Sequence, residues 1–299
     1  MTATRSARRK RRAIQKAKRI ARKALTILMA AALLCAAVII GMEAWTWLQG
    51  ISVRNELDDL YPAAASERLS WLFPSAHAEG LEGESSVFSE PLERHSDFDA
   101  LYEENPDIAG WLTAGEDISY PVVQRDNIYY LDHNYFGERD ANGTLFLNEQ
   151  NALNPRDHVL LIHGHNMKSG AMFGKLRRYA DETYMQEYPL ITFRTIADES
   201  EVYYVPISGF DASMVEGAPG YFDLTPINFA TEEACCAYLA EIRERSYWPT
   251  PVDVNAEDEL LMLVTCSYQH EDVRFMLICR KLRPDETPEA VKALFTQES

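Results

Sequence analysis

Cys266 is the residue whose type and position most directly indicate chemistry in this chain. It follows an uncharged apolar run, LLMLVT, that predicts a buried strand, and the polar residues Ser267, Tyr268 and Gln269 come directly after it. The thiol is therefore predicted at a strand end that opens into a loop, a common place for reactive groups on a β scaffold. The alternative is a buried, inert cysteine, the usual fate of a lone thiol.

Arg274 follows Cys266 by eight positions and begins a second apolar strand, RFMLICR. Consecutive strands joined by a short loop tend to pair as a hairpin, so the guanidinium is predicted near the thiol. In that position it would lower the pKa of the thiol or donate hydrogen bonds to a developing oxyanion. The alternative is an arginine on an edge strand with its charge in solvent.

His165 lies at the exit of a third predicted strand, 159–163, where Gly164 frees the backbone to turn. His163 and His165 are two positions apart and share a face of an extended chain, a spacing that also occurs in zinc sites. Because no third ligand follows at a metal-like spacing, we predict no metal. Three other histidines lack comparable context and are predicted to be surface or structural residues, with the last of them a reserve candidate: His133, His158 and His270.

The order of the three candidates along the chain, His then Cys then Arg, narrows the chemistry. A cysteine nucleophile with a histidine distant in sequence is a recurrent catalytic arrangement. Papain-like enzymes have the cysteine first and are therefore disfavoured. The set predicts covalent catalysis by a thiolate, with a histidine for proton transfer.

The elements that must position these residues are predicted to be mainly β-strands. Turn signals such as Asn142-Gly143 and Asn154-Pro155 separate short apolar segments. Many short strands at modest spacing favour a closed or nearly closed barrel, or a sandwich. The predicted strands are 118–123, 144–147, 159–163, 190–195, 201–210, 259–266 and 274–281.

Three helices are predicted within the same region. A short one, FDALYEEN, would be capped by Asp97 and ended by Pro106. A second covers 172–179, and a third covers 231–247, where Thr231 fits the capping position and an apolar stripe follows.

The first 42 residues differ sharply in charge from the rest. They hold eleven Lys or Arg and no acid, whereas the remainder holds 18 basic against 46 acidic residues. Residues 24–42 form an uncharged stretch of 19 residues, which at about 1.5 Å per residue nearly spans a hydrocarbon core about 30 Å thick. Trp45 and Trp47 follow at its far edge, where indoles favour the membrane interface.

These features predict one uncleaved membrane helix with a cytoplasmic N-terminus and an extracellular catalytic domain, because positive residues stay inside. A cleaved signal peptide is the alternative, although its apolar part is usually only about 7–15 residues long. The basic run is interpreted as a topology signal that also meets anionic lipid, so we predict no nucleic-acid partner.

Four parts follow from this division: a basic cytoplasmic segment at 1–23, a transmembrane helix at 24–42, a juxtamembrane helix and linker at 43–96, and the catalytic domain at 97–299. The linker is assigned because residues 74–96 are rich in Ser, Glu, Gly and Pro. The five cysteines are too few, and odd in number, for a disulfide framework.

In its motifs the chain resembles the sortases, and class B in particular, from about Asp97 to Leu282. The matching segments are NPDIAGWL (105–112), ISYPVVQ (118–124), DNIYYLDHN (126–134), GTLFL (143–147), GHNMKSGAMF (164–173) and VTCSYQHEDVRF (264–275). The resemblance implies a mainly β fold: a sortase-like closed barrel of about eight strands, with N-terminal helices and a helix, 231–247, in the insertion between strands six and seven.

The resemblance also implies roles for individual residues. His165, Cys266 and Arg274 take the catalytic positions, and the chemistry requires no cofactor. His163 and Val264 depart from the class B pattern, which often has Tyr and Ser at these two positions, and the departures bear on substrate preference. The residues implied near the sorting-signal groove are Asn127, Leu131, Val264, Thr265 and Ser267.

Sortases cut a sorting signal near the C-terminus of a secreted protein through a thioacyl-enzyme and join the new end to an amine. The partners that the resemblance implies are secreted proteins bearing such a signal, and a peptidoglycan precursor or a pilin amine as acceptor. A surface cysteine hydrolase and a pilin-polymerising sortase are alternative functions, and a catalytically silent anchored domain is a third.

Overall fold

A computed structural model describes residues 2–61, 94–266 and 273–296, and the chain divides into two compact units, 1–48 and 49–299. The long helix α1 (Thr2–Leu60) begins the chain. Its segment Leu28–Leu60 is long and apolar enough to cross a membrane by length and composition. The described apolar side chains of the first unit are exposed, as Leu33 and Ile40 show with 70% and 66% of their surface accessible.

The second unit is built on a closed barrel of eight strands that follow the order β1-β2-β3-β4-β7-β8-β6-β5 around it. Pairing of β5 with β1 closes the barrel, and closure removes exposed strand edges. In chain order the strands are β1 (Ile108–Ala114), β2 (Ile118–Val123), β3 (Leu145–Leu147), β4 (Val159–Gly164), β5 (Ile191–Thr195), β6 (Tyr203–Ser213), β7 (Leu260–Cys266) and β8 (Val273–Lys281).

The mainly β fold and the closed barrel are confirmed, and each of the seven predicted strands is present with ends shifted by up to three residues. Strand β1 is the one that the sequence prediction omits. Its sequence, IAGWLTA, contains one glycine and two alanines, residue types that are depleted in strands. Gly110 is required within it, because a Cβ atom there would lie 2.3 Å from the carbonyl oxygen of Arg194 on β5.

Helix α4 (Glu232–Arg245) lies in the connection between β6 and β7, as predicted. The hydroxyl of Thr231 caps it by accepting a hydrogen bond from the Ala234 amide at 3.2 Å. The remaining short helices are α2 (Asp99–Glu104), α3 (Glu182–Glu187) and α5 (Pro288–Thr296).

Two predictions about helices are wrong. Segment 172–179 is not one helix: Met172 has a left-handed backbone with φ of 52°, and a 3-10 turn at Leu176–Ala180 precedes α3. Asp97 does not cap α2, since its carboxylate instead accepts a hydrogen bond from Arg194 Nη1 at 2.7 Å. In both places a tertiary contact or a tight turn overrides the local helix signal.

An apolar cluster on the barrel wall includes the end of α1. The ring of Tyr61 stacks between Phe98 and Trp111, with centroid distances of 5.1 and 4.8 Å, and Leu57 is buried in the same cluster. Arg194 also donates to the Tyr61 hydroxyl at 3.3 Å. The second compact unit begins at Gln49 and so includes these residues of α1. The division of the chain into four functional parts, with a catalytic domain that starts at Asp97, stays a prediction. The predicted linker lies almost wholly outside the described residues.

Candidate active site

Parallel pairing of β4 with β7 brings His165 and Cys266 to the same end of the barrel. The last pair in the register joins Gly164 to Thr265, and the next residues along the chain are His165, just after β4, and Cys266, the last residue of β7. Neighbouring strands lie about 4.8 Å apart. The two backbones are therefore adjacent, although the residues are far apart in sequence.

The hairpin predicted from the sequence is confirmed, because β7 and β8 are antiparallel neighbours and Cys266 is paired directly with Arg274. On its other side Arg274 is paired with Ala212 of β6. Its side chain is half-buried. Cys266 and Arg274 are therefore register partners, and His165 directly follows the strand that pairs with β7 on its other side. Ser267 lies outside the described residues.

A main-chain carbonyl fixes the ring of His165. Its Nε2 lies 2.7 Å from the carbonyl oxygen of Leu131. Because a carbonyl oxygen only accepts, Nε2 must carry a proton, which leaves Nδ1 as the nitrogen that exchanges a proton. Leu131, which the family resemblance places near the substrate groove, is therefore in contact with His165 through its carbonyl, and the residue is 40% exposed.

The loop that contains Leu131 is held at its start by two side chains. The Asp126 carboxylate accepts hydrogen bonds from the amides of Tyr129 and Ile128, at 2.6 and 2.9 Å, and these bonds hold the pKa of Asp126 below its usual value. Asn127 Oδ1 accepts from the Glu149 amide at 2.9 Å. Asn127, also implied at the groove, thus ties this loop to the one that follows β3.

Tyr130 holds the same loop through hydrogen bonds of its hydroxyl and of its main-chain carbonyl. Asn105 donates to its hydroxyl at 2.9 Å, and the hydroxyl donates to Asp107 at 2.8 Å. The Tyr130 carbonyl accepts from the Thr144 amide at 3.0 Å, and burial raises the pKa of its phenol. The segment that begins with Asn105 therefore helps to set the position of the carbonyl that holds His165.

Replacing Gly143 by Ala is expected to displace this carbonyl. Gly143 has φ of 62°, and a Cβ atom there would lie 2.5 Å from the Tyr130 carbonyl oxygen and 2.9 Å from that of Leu131. Because both are backbone atoms, the loop must move. We expect kcat/KM for the peptide substrate to fall about 10–100-fold, the usual effect of misplacing a catalytic group by about 1 Å.

Gly137→Ala is the matched control. Gly137 also has a positive φ, 76°, but the nearest atom to its Cβ would be the Tyr129 hydroxyl at 3.5 Å. It carries the same kind of backbone strain without the backbone collision. Equal losses of activity in both variants would contradict the role of the Leu131 carbonyl.

His163 precedes His165 by two residues and is paired with Val264 of β7. Its ring stacks on Phe146, with centroids 5.2 Å apart, and its Nε2 lies 3.4 Å from Asn148 Nδ2. Burial, and then the positive charge of Arg274, lower the pKa of His163 to about 4. The imidazole is therefore neutral at neutral pH.

Acidification is expected to destabilise the fold through His163. The unfolded chain binds the proton near pH 6.5 and the folded chain only near pH 4, so the unfolded state holds more protons between these values. The contribution to stability is complete above pH 6.5 and is lost as the pH falls towards 4. In His163→Phe, melting temperatures should fall less over this range than in the parent. Parallel curves for the two proteins would contradict the assignment.

Val264 and Thr265, implied as substrate contacts, are both buried, with 0% and 1% of their surface exposed. The Thr265 hydroxyl has no hydrogen-bond partner within the described ranges, and an unmade buried hydrogen bond costs about 1–3 kcal/mol. Direct contact of either side chain with a substrate stays a prediction.

No protein-family model matches the chain. Sortase B of Listeria monocytogenes is 30% identical over 175 residues, which cover 57% of this chain and 67% of that protein. Among solved structures, a Bacillus anthracis protein described as similar to sortase B is 28% identical, with a TM-score of 0.57, covering 65% of this chain and 86% of that one. Sortase B of Clostridium perfringens is 25% identical, with a TM-score of 0.54, over 61% of this chain and 98% of that one.

The closed barrel and these relatives define a sortase, which is a cysteine transpeptidase. The insertion helix α4 between β6 and β7 fits the class B pattern. The chain belongs to the class B sortase family.

Proposed function

We propose that Cys266, His165 and Arg274 carry the transpeptidase reaction of this chain. The observation that carries the proposal is the register at one end of the barrel: Cys266 pairs with Arg274, and His165 directly follows Gly164, which pairs with the residue before Cys266. The proposed substrate is a C-terminal sorting signal on a secreted protein, and the proposed acceptor is an amine of the cell wall.

In the first half of the reaction the Cys266 thiolate attacks the carbonyl carbon of the scissile peptide bond. The C–N bond then breaks, a thioester forms, and the leaving amine takes a proton from His165. The moving proton is the one on Nδ1, because the Nε2 proton is held by the Leu131 carbonyl.

In the second half the acceptor amine attacks the thioester carbon and His165 takes a proton from it. The new amide bond forms as the C–S bond breaks, which returns Cys266 to the thiolate. Arg274 donates hydrogen bonds to the oxygen that becomes negative in both halves. No cofactor enters this scheme.

The exposed side chains on the loop beside His165 are apolar, and this favours binding of an apolar part of the peptide there. Ile128 is 75% exposed and Leu131 is 40% exposed, and both lie on the loop whose carbonyl holds His165. We propose that these side chains contact the sorting signal, with Asn127 fixing the loop. Val264, Thr265 and Ser267 are proposed to line the groove near the thioester.

We also propose that the N-terminal helix anchors the enzyme in the membrane with the barrel outside the cell. Support comes from the apolar segment Leu28–Leu60 and from the eleven basic residues before position 24. This topology would bring the enzyme, exported substrates and lipid-linked wall precursors to the same membrane face.

The test uses the full chain in detergent micelles, incubated with a library of peptides that vary over five positions and with an amine such as triglycine. We expect one peptide family to be cleaved and joined to the amine. A free acid as the main product at saturating amine would instead favour a surface cysteine hydrolase. Joining of signal peptide to a lysine-containing pilin-type peptide in preference to triglycine would favour a pilin-polymerising enzyme.

A further inference from the structure

The last part of α1, residues 49–61, belongs to the second compact unit and packs against the barrel wall. Two contacts fix its direction on the barrel. Near its start, Arg54 Nη2 donates to the carbonyl oxygen of Asp117 at 2.7 Å. At its end, the ring of Tyr61 stacks on Trp111 in the middle of β1, with centroids 4.8 Å apart.

The strand directions show which end of the barrel this segment starts from. Strands β4 and β7 finish at the end that carries His165 and Cys266, which we call the catalytic end. Strand β3 is antiparallel to β4 and parallel to β2, so β2 and β3 both begin there. Asp117 directly precedes β2 and therefore lies at the catalytic end. The segment 49–61 thus runs from the catalytic end towards the middle of the barrel wall.

Gly50 lies beside loops of the catalytic end. A Cβ atom at Gly50 would be 3.7 Å from Asn142 Nδ2 and 4.0 Å from the Cβ of Ala171. Asn142 shortly precedes β3, and Ala171 lies in the loop that follows His165. The chain therefore enters the second unit at the catalytic end of the barrel.

The covalent chain limits how far the catalytic end can lie from a membrane that holds the N-terminal helix. Trp47 follows the apolar stretch at the position where an indole favours the membrane interface. Only three residues separate it from Gly50, and they span at most about 11 Å. This limit holds for any arrangement of the two compact units.

The loop that contains Ala171 belongs to a basic segment, 166–180. It holds four basic residues and no acid, although the chain after position 42 has 18 basic and 46 acidic residues. Lys168 and Lys175 are exposed, whereas Arg177 and Arg178 form ion pairs with acidic side chains. Basic segments next to a membrane helix attract anionic lipid headgroups.

We propose that the catalytic end of the barrel rests on the surface of an anionic membrane, where Lys168 and Lys175 contact lipid phosphate groups. The proposal rests on the proposed membrane anchor and adds to it a docking surface and the chemistry of its partner. In this orientation Cys266 is presented to substrates and acceptors that are themselves held at the bilayer.

The test measures the distance of each end of the barrel from the lipid. The full chain is assembled in nanodiscs of phosphatidylglycerol that contain a rhodamine-labelled lipid as energy acceptor. A donor fluorophore is attached to one introduced cysteine at an exposed position. Ser169→Cys and Val215→Cys place it at the catalytic end, since Val215 follows β6, which finishes there. Glu257→Cys places it before β7, at the opposite end.

The background of these variants lacks the competing thiols. Cys35→Ser and Cys236→Ser remove the exposed cysteines, and Cys266→Ala removes the proposed nucleophile. The buried Cys235 and Cys279 are retained. Melting temperatures confirm that each variant folds, and two label positions at the catalytic end guard against the failure of one.

The expected shift follows from the length of the barrel. Strand β7 has seven residues, which at about 3.3 Å per residue and a tilt of about 40° separate the two ends by about 18 Å. We therefore expect the labels at positions 169 and 215 to lie roughly 15 Å closer to the lipid than the label at position 257.

A charge variant tests the contact with lipid phosphate. Lys168→Gln combined with Lys175→Gln should lower the energy transfer from position 215 in phosphatidylglycerol and leave it unchanged in neutral phosphatidylcholine. Lys281→Gln is the matched control, because Lys281 ends β8 at the opposite end of the barrel. It should have no effect in either lipid.

Equal transfer from the two ends, or stronger transfer from position 257, would overturn the proposal. An unchanged distance in the double lysine variant in phosphatidylglycerol would overturn the contact of these lysines with lipid. A chain that does not assemble into nanodiscs would overturn the anchor and this proposal together. The proposed catalytic roles fail separately, because no step of this test depends on the reaction.

Discussion

Replacing His165 by Gln is expected to lower kcat/KM about 10²–10⁴-fold, the usual contribution of a positioned general acid–base. Glutamine carries its amide nitrogen at the distance of Nε2, so the hydrogen bond to the Leu131 carbonyl, 2.7 Å in the parent, is retained. What it lacks is a titrating nitrogen in the place of Nδ1. The variant should therefore fold normally and fail in proton transfer.

An ester substrate tests specifically whether His165 donates a proton to the leaving group. An activated ester releases a leaving group that needs no proton, so His165→Gln should be acylated by the ester much faster than by the matching amide. His158→Gln is the control, because His158 directly precedes the opposite end of β4. Equal losses on ester and amide would contradict proton donation to the leaving amine by His165.

Replacing Arg274 by Ala is expected to lower kcat/KM about 10²–10³-fold, the range seen when an oxyanion donor is removed. Arg274→Lys should recover part of this loss, because it restores the charge but not the two parallel donors of the guanidinium. Arg177→Ala is the matched control: its guanidinium lies 5.6 Å from the ring of Phe275, the next residue along β8.

A second readout for Arg274 does not depend on activity. The positive charge of Arg274 contributes, after burial, to the low pKa of His163, about 4. In Arg274→Ala the pKa of His163 measured by NMR should therefore rise, while in Arg274→Lys it should change less. If Arg274→Ala leaves both the pKa of His163 and the reaction rate unchanged, the guanidinium is not directed at the site.

The sequence predicted the parts of this site that depend on strand order. An apolar run ending at Cys266 and another beginning at Arg274 were sufficient to predict the hairpin, because short-range pairing follows from chain continuity. The family and its closed barrel followed from the motifs around His165 and Cys266, and both are confirmed. The catalytic roles themselves stay predictions.

The features of the site that the sequence did not predict depend on tertiary contacts. The acceptor for His165 is the main-chain oxygen of Leu131, and a carbonyl is present in every residue, so no residue type marks it. The low pKa of His163 comes from burial and then from the positive charge of Arg274. Met172 takes a left-handed backbone in a segment whose composition favours a helix. Each of these depends on residues that lie far away along the chain or on a tight turn.

The measurement that tests the central claim most directly is the intact mass of the full chain after incubation with the best library peptide, without an amine acceptor. The account predicts that the parent gains the mass of the acyl fragment, that added triglycine removes it as an amide product, and that Cys266→Ala gains nothing. An adduct of the same mass on Cys266→Ala, or cleavage by the parent with no adduct under any quench, would contradict a thioester at Cys266.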